Sequence, residues 1–129
     1  MAEVSLTNVS KAYGKTQAVD DITMTIEDGA FVVLLGPTGA GKTTTLRLIS
    51  GLEKLDSGSV HIGGRDVGLD TPAQRDVAMV FQQYSLYPHL SVRDNLAFPL
   101  RSPILKTPED VIDKKILQIA EVFGCFQDR

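Results

Sequence analysis

Along the chain the apolar residues change period several times. Residues 3–9 (EVSLTNV) put Val4 and Leu6 on one face and Ser5 and Thr7 on the other, a weak strand pattern. In 22–26 (ITMTI) the alternation is clear. Ile22, Met24 and Ile26 alternate with Thr23 and Thr25, as in a strand buried on one face. Asp28-Gly29 then marks a tight turn. Residues 31–35 (FVVLL) are apolar without alternation, the pattern of a strand covered on both faces in a parallel sheet. After a glycine-rich loop, Lys42 to Ser50 has no breaker and predicts a helix that Gly51 stops.

The second half continues in the same mixed style. Residues 56–68 hold four of the chain's 11 glycines and predict turns between short strands, with Val60 and Ile62 alternating. Residues 77–81 (VAMVF) predict a second buried strand, whereas Leu86 to Arg101 gives no regular period. The last element is the best helix. Thr107 is its expected N-cap, Pro108 fits the first turn, and Asp110 stands three residues after the cap. Ile112, Ile116, Ile119 and Phe123 then share one face, and Gly124 ends it. This order predicts an antiparallel sheet beside the first half of a parallel α/β core.

Composition narrows the chemistry. A net charge of -3 over 129 residues gives no bulk attraction for nucleic acid or anionic lipid, so any bound anion must be held locally. The single cysteine, Cys125, permits neither an intrachain disulfide nor a cysteine metal cluster. The longest apolar run, about six residues near Phe31 to Leu35, is far short of a membrane span of about 20 residues. Together with an acidic start, Met1-Ala2-Glu3-Val4, this leads us to expect a soluble, cytoplasmic protein.

The local anion site is legible at 36–43, GPTGAGKT: Gly36, four residues, Gly41, Lys42, Thr43. This is the phosphate-binding loop pattern in full, between an apolar run and a predicted helix. Its glycines, Gly36, Gly39 and Gly41, free the backbone to turn N–H groups inward around phosphates at a helix N-terminus. Lys42 supplies a full positive charge, and the Thr43 hydroxyl is a fitting ligand for Mg²⁺. Pro37, Thr38, Ala40 and Thr44 complete the expected nucleotide-binding segment. The loop alone says that a nucleoside triphosphate binds, since GTPases, kinases, helicases and transport ATPases all carry it. His61 and His89 lack metal-ligand partners at useful spacing and are assigned no chemistry.

Three neighbours of the loop sharpen the reading. Tyr13, in KAYG at 11–14, resembles the aromatic that stacks on adenine in the nucleotide-binding subunits of ATP-binding-cassette (ABC) transporters. Gln82, after Phe81, resembles that family's glutamine, which reaches Mg²⁺ and the attacking water. Gln83 offers the same chemistry one residue on, but the family pattern places the glutamine next to the phenylalanine. Residues 84–92 (YSLYPHLSV) are similar to the segment that, in sugar-importer ATPases, receives a coupling helix from the membrane subunit, with Leu86, Tyr87, Pro88 and Leu90 as its apolar surface. LISGLEKLDSGSV at 48–60 and TPAQRDVAMVFQQYSLYPHLSV at 71–92 belong to the importer branch of the same resemblance, which covers essentially the whole chain.

The resemblance implies a fold class: an α/β P-loop NTPase (RecA-like) core, incomplete, with an N-terminal antiparallel β subdomain and the start of a helical subdomain. The β subdomain and P-loop core are expected at about 1–88 and the helical start at about 89–129. It also implies ATP and Mg²⁺ as ligands. Its implied partners are membrane-spanning subunits docked at about Gln82–Leu90 and a second copy of the ATPase subunit; nucleic acid is not among them. The implied location is cytoplasmic, peripheral on the inner face of the cell membrane. The sequence contains no LSGGQ signature, no strand ending in an aspartate–glutamate pair and no switch histidine. This chain alone is therefore expected to hydrolyse ATP little or not at all, with Lys42 and Gln82 as its contribution to catalysis. Two other readings are a non-catalytic ATP-binding module and a soluble ABC-type ATPase of DNA maintenance.

Overall fold

The computed structural model describes residues 2–82, 85–103 and 105–124. Cys125, Gln83 and Tyr84 lie outside the described residues. The chain divides into two compact units, Met1–Met79 and Val80–Arg129.

The first unit is built on β1 (Val4–Tyr13), β2 (Thr16–Ile26), helix α1 (Lys42–Ser50), β3 (Ser57–Ile62) and the two-residue β4 (Arg65–Asp66). The four strands form one sheet in the order β2-β1-β3-β4, with every pairing antiparallel. Leu6 stands opposite Met24 of β2 and opposite Val60 of β3, so the alternation read from the sequence sets the register. Both long strands outrun that alternation because the β1–β2 ladder contains register shifts. Asn8 and Asp21 take positive φ at two successive shifts, on either side of the Val9–Ile22 pair, and the Asn8 amide donates to the Asp21 carboxylate at 2.8 Å. The expected turn at Asp28-Gly29 is present, closed by Ala30 N–H on the Glu27 carbonyl at 3.1 Å.

Helix α1 matches its expected bounds and ends at Gly51, whose left-handed φ of 76° lets its N–H reach the Leu48 carbonyl. Leu48 projects from the helix into a sealed cluster with Leu6, Val9, Val19, Val60 and Val67. Each such side chain contributes roughly 1.5–3 kcal/mol by leaving water.

Arg75 also closes this C-terminal end of the helix. It is buried, and one guanidinium nitrogen donates to the Leu48 and Ile49 carbonyls at 2.7 and 2.8 Å. Those carbonyls lie in the last turn, where the helix leaves acceptors unsatisfied and favours positive charge. Burial holds the Arg75 pKa below its ordinary value, with Asp70 and Asp66 opposing the shift.

Two expected strands are not formed. Residues 31–35 have no strand partner, and Phe31 and Leu35 are 92% and 88% exposed. Residues 77–81 likewise have no ladder, with Val80 95% exposed. The physical reason is the pattern itself. A run without a polar face needs a neighbour on each edge and cover on each face. The sheet takes neither run as a member, and among the described residues there is no further strand to flank them.

The second unit contains α2 (Val92–Ala97) and α3 (Glu109–Val122). Helix α2 lies in the stretch that lacked a readable period. Ser91 caps it, its side chain accepting from Asp94 N–H at 3.1 Å while its hydroxyl donates to the Asp94 carboxylate at 2.6 Å. The cap of α3 is Pro108, not Thr107. Pro108 has an extended ψ of 146°, so the helix begins one residue later, and no side chain bonds its end. The buried stripe of α3 is Ile112, Ile116 and Ala120. Ile119 and Phe123, expected on that face, are 45% and 72% exposed. Ala97 of α2 joins Ile112 and Ile116 in the core of this unit, and six residues of α2 are too short to cover the length of α3. Among the described residues no helix is long and apolar enough to cross a membrane.

Candidate functional site

The loop at 36–41 leads from the uncovered apolar run into α1. Its last residue, Gly41, has φ 80°, and a Cβ there would lie 2.2 Å from the Ala18 carbonyl oxygen of β2. Only glycine allows both the left-handed turn and that approach. Ala40 N–H bonds the Pro37 carbonyl at 3.2 Å and closes the tip. The Thr45 N–H and hydroxyl both donate to the Gly41 carbonyl, at 2.8 and 3.0 Å, so the first turn of the helix is fixed to the loop.

The helix start is prepared for an anion. No side chain caps it and its first turn carries no acid. The N–H groups of Lys42, Thr43 and Thr44 therefore point out of the helix, where the dipole favours negative charge. Lys42 folds back over the loop, its ammonium donating to the Gly36 and Pro37 carbonyls at 2.7 Å each. A cavity of about 270 Å³ opens here, lined by Tyr13, Ala18 and Gly39 to Thr44. Residues far apart in sequence, the end of β1 and the start of α1, thus share one wall. Gly36, Pro37 and Thr38 do not line the cavity; Gly36 and Pro37 serve as the acceptors for Lys42.

The donor set fits a magnesium triphosphate. Backbone N–H groups and an ammonium suit phosphate oxygens. Thr43 is exposed in the first turn and offers one hydroxyl to a cation. Among the described residues no group of three His, Cys, Asp or Glu could hold a metal. A cation here must draw most of its oxygens from phosphate and water, as Mg²⁺ does at nucleotide sites.

Tyr13 is half-exposed, and its surroundings were not visible in the sequence. Its hydroxyl donates to Glu53 Oε2 at 3.0 Å. Lys11 Nζ lies over the ring, 5.4 Å from its centre. Lys11 also pairs with Glu53 at 3.3 Å and Asp56 at 3.1 Å, and Asp56 accepts from Ala12 N–H at 2.7 Å. The Tyr13 hydroxyl and then Lys11 hold the Glu53 carboxyl below the ordinary carboxylate range. For Asp56 the Ala12 N–H is the main cause of a shift in the same direction, followed by Lys11. Period 2 along β1 does place Lys11 and Tyr13 on one face, a signal that the sequence carried.

Gln82 is exposed and lies in the second unit, in a bend without regular structure. Of the apolar stretch beyond it, Leu86 is 69% exposed and the Tyr87 ring packs on Phe98 with centres 4.5 Å apart. Asn95 holds this segment from α2. Its amide nitrogen donates to the Tyr87, Leu90 and Ser91 carbonyls, and its oxygen accepts from Tyr87 N–H at 2.8 Å.

The family model for ABC transporters matches residues 19–128. The chain belongs to the ABC transporter family. The cassette is 45% identical to the trehalose/maltose import ATP-binding protein MalK of Thermococcus litoralis over 96% of this chain and 34% of that protein. It is 48% identical to the sn-glycerol-3-phosphate import ATP-binding protein UgpC of Paracoccus denitrificans, over 93% of this chain and 33% of that one. The chain thus spans about a third of the length of these curated relatives. Among solved structures, a dimeric ATP-binding cassette in a post-hydrolysis state with ADP and Pi aligns over 92% of this chain and 56% of its own, with a TM-score of 0.76 at 29% identity. The fold class is accordingly that of the α/β P-loop cassettes, of which the described residues hold the antiparallel sheet, the loop and its helix.

Proposed function

We propose that this cassette binds Mg·ATP as part of the ATP-binding subunit of an importer for a sugar or a related solute. The observation that carries the reading is the shared cavity of Tyr13 and Gly39 to Thr44 at the uncapped start of α1. The N–H groups of the loop and first turn receive the phosphates. Lys42 exchanges its bonds to the Gly36 and Pro37 carbonyls for the β- and γ-phosphate oxygens. The Thr43 hydroxyl ligates Mg²⁺, and Tyr13 presents its ring to the adenine. Bound Mg²⁺ neutralises charge on the phosphates, and Gln82 is assigned to the same ion and to the attacking water. Positioning and charge stabilisation carry phosphoryl transfer, and this chain supplies the cradle for them. Hydrolysis is assigned to the whole protein, acting on the cytoplasmic face of the membrane with a second copy of the subunit.

Titration of the purified protein with a fluorescent ATP analogue tests the cradle. Lys42→Ala is expected to abolish binding or weaken it greatly while the far-UV spectrum is kept. Wild-type affinity in the variant would remove Lys42 from the site.

Relatives named as import proteins support a docking role for about Gln82–Leu90, within a β subdomain and P-loop core at about 1–88 and a helical start at about 89–129. Exposed Leu86 is the contact to probe. Leu86→Asp is expected to impair assembly with membrane subunits and to leave ATP binding intact. Normal transport by that variant would place docking elsewhere.

A further inference from the structure

We propose that Glu53 is a positioning residue for nucleotide recognition: it anchors the Tyr13 hydroxyl and so fixes the ring at the angle that receives the base. The inference rests on the proposed stacking role of Tyr13 and adds to it a residue and a reason for the hydroxyl.

The argument starts from the strand end. Tyr13 is the last residue of β1, half-exposed, and its ring borders a cavity open to water. A ring so placed has rotational freedom unless something holds its far end, and ordering it on ligand binding would cost affinity. Here the far end is held. The hydroxyl donates to Glu53 at 3.0 Å, across 40 residues of sequence. Glu53 is itself held by Lys11 at 3.3 Å, and its backbone N–H bonds the Arg47 carbonyl of α1 at 3.2 Å. The anchor therefore hangs from the phosphate-loop helix. Lys11 lies over the ring and pairs with Asp56 as well as Glu53. With a cation against the ring, the aromatic surface that borders the cavity is left for a base. The Tyr13 hydroxyl is tied to α1 directly, through the Thr44 side chain, and through the Glu53 carboxylate, which couples the base subsite to the phosphate subsite.

The test separates base from phosphates. Calorimetric titrations of the purified protein use Mg·ATP and Mg·tripolyphosphate, which lacks the base. Glu53→Ala and Tyr13→Phe are each expected to weaken ATP binding about five- to tenfold, part of the stacking contribution seen for bases on aromatic rings. Adding Glu53→Ala to Tyr13→Phe should cost little more than Tyr13→Phe alone, because the phenylalanine already lacks the hydroxyl that Glu53 holds. Glu53→Gln keeps an acceptor for the hydroxyl and is expected to stay within about twofold of wild type. Tripolyphosphate should bind all of these variants as it binds wild type, which also shows that they are folded. Unchanged ATP affinity in Glu53→Ala, beside a clear loss in Tyr13→Ala, would overturn the anchoring role and leave stacking in place. An equal loss of ATP and tripolyphosphate in Glu53→Ala would overturn it too, by showing a role in the loop as a whole. ATP affinity that survives Tyr13→Ala would instead refute the stacking reading beneath the inference.

Discussion

Two apolar stretches of the first unit, a few residues apart, behave in opposite ways. Residues 22–26 complete strand β2, with Met24 opposite Leu6 and the threonines facing out. Residues 31–35 are more apolar, yet they pair with nothing and leave Phe31 and Leu35 almost fully in water. The difference is one of where partners come from. An alternating strand needs cover on one face, and β1 lies only a two-residue turn away. A continuous apolar strand needs neighbours on both edges and layers on both faces, which must come from distant chain. Hydrophobicity measures how much a segment has to bury; its pattern says who can bury it.

The largest test of this contrast is a pair of truncations. Leu6→Ala empties the sealed cluster and is expected to cost about 2–5 kcal/mol in urea unfolding. Phe31→Ala removes a larger side chain but is expected to stay within about 0.5 kcal/mol, as exposed positions do. Equal losses would mean that 31–35 is packed after all.

A smaller effect sharpens the comparison on the helix that joins the sealed region to the loop. Arg75→Ala removes the guanidinium from the Leu48 and Ile49 carbonyls, leaving Leu48 only its bond from Gly51 N–H, and is expected to lower stability by about 1–3 kcal/mol. Stability unchanged by urea unfolding would show that water replaces the guanidinium without penalty.

Much of the site was legible because its signals are local. The eight residues 36–43 carry the turn geometry, the cation and the hydroxyl in one segment, and Gly51 marks the end of α1. The β1–β2 hairpin was read only in part, because left-handed Asn8 and Asp21 break the alternation. Helix α2 was missed although Ser91 and Asp94 form a capping pair, since its six residues hold too few turns for a period to show. Glu53 and Asp56 were illegible for a different reason. Their partners are Tyr13 and Lys11, 40 and 45 residues away, and no periodicity reports a contact of that range. Tyr13 was found through family resemblance, and what holds it needed the fold.

The central claim is that phosphates settle on the N–H groups of the loop and of the first turn of α1. Amide hydrogen exchange with and without saturating Mg·ATP addresses it directly. The account expects strong slowing at Gly39 to Thr44, little change across β1 to β3 away from Tyr13, and loss of the slowing in Lys42→Ala. Saturation by nucleotide with unchanged exchange over those residues would contradict it.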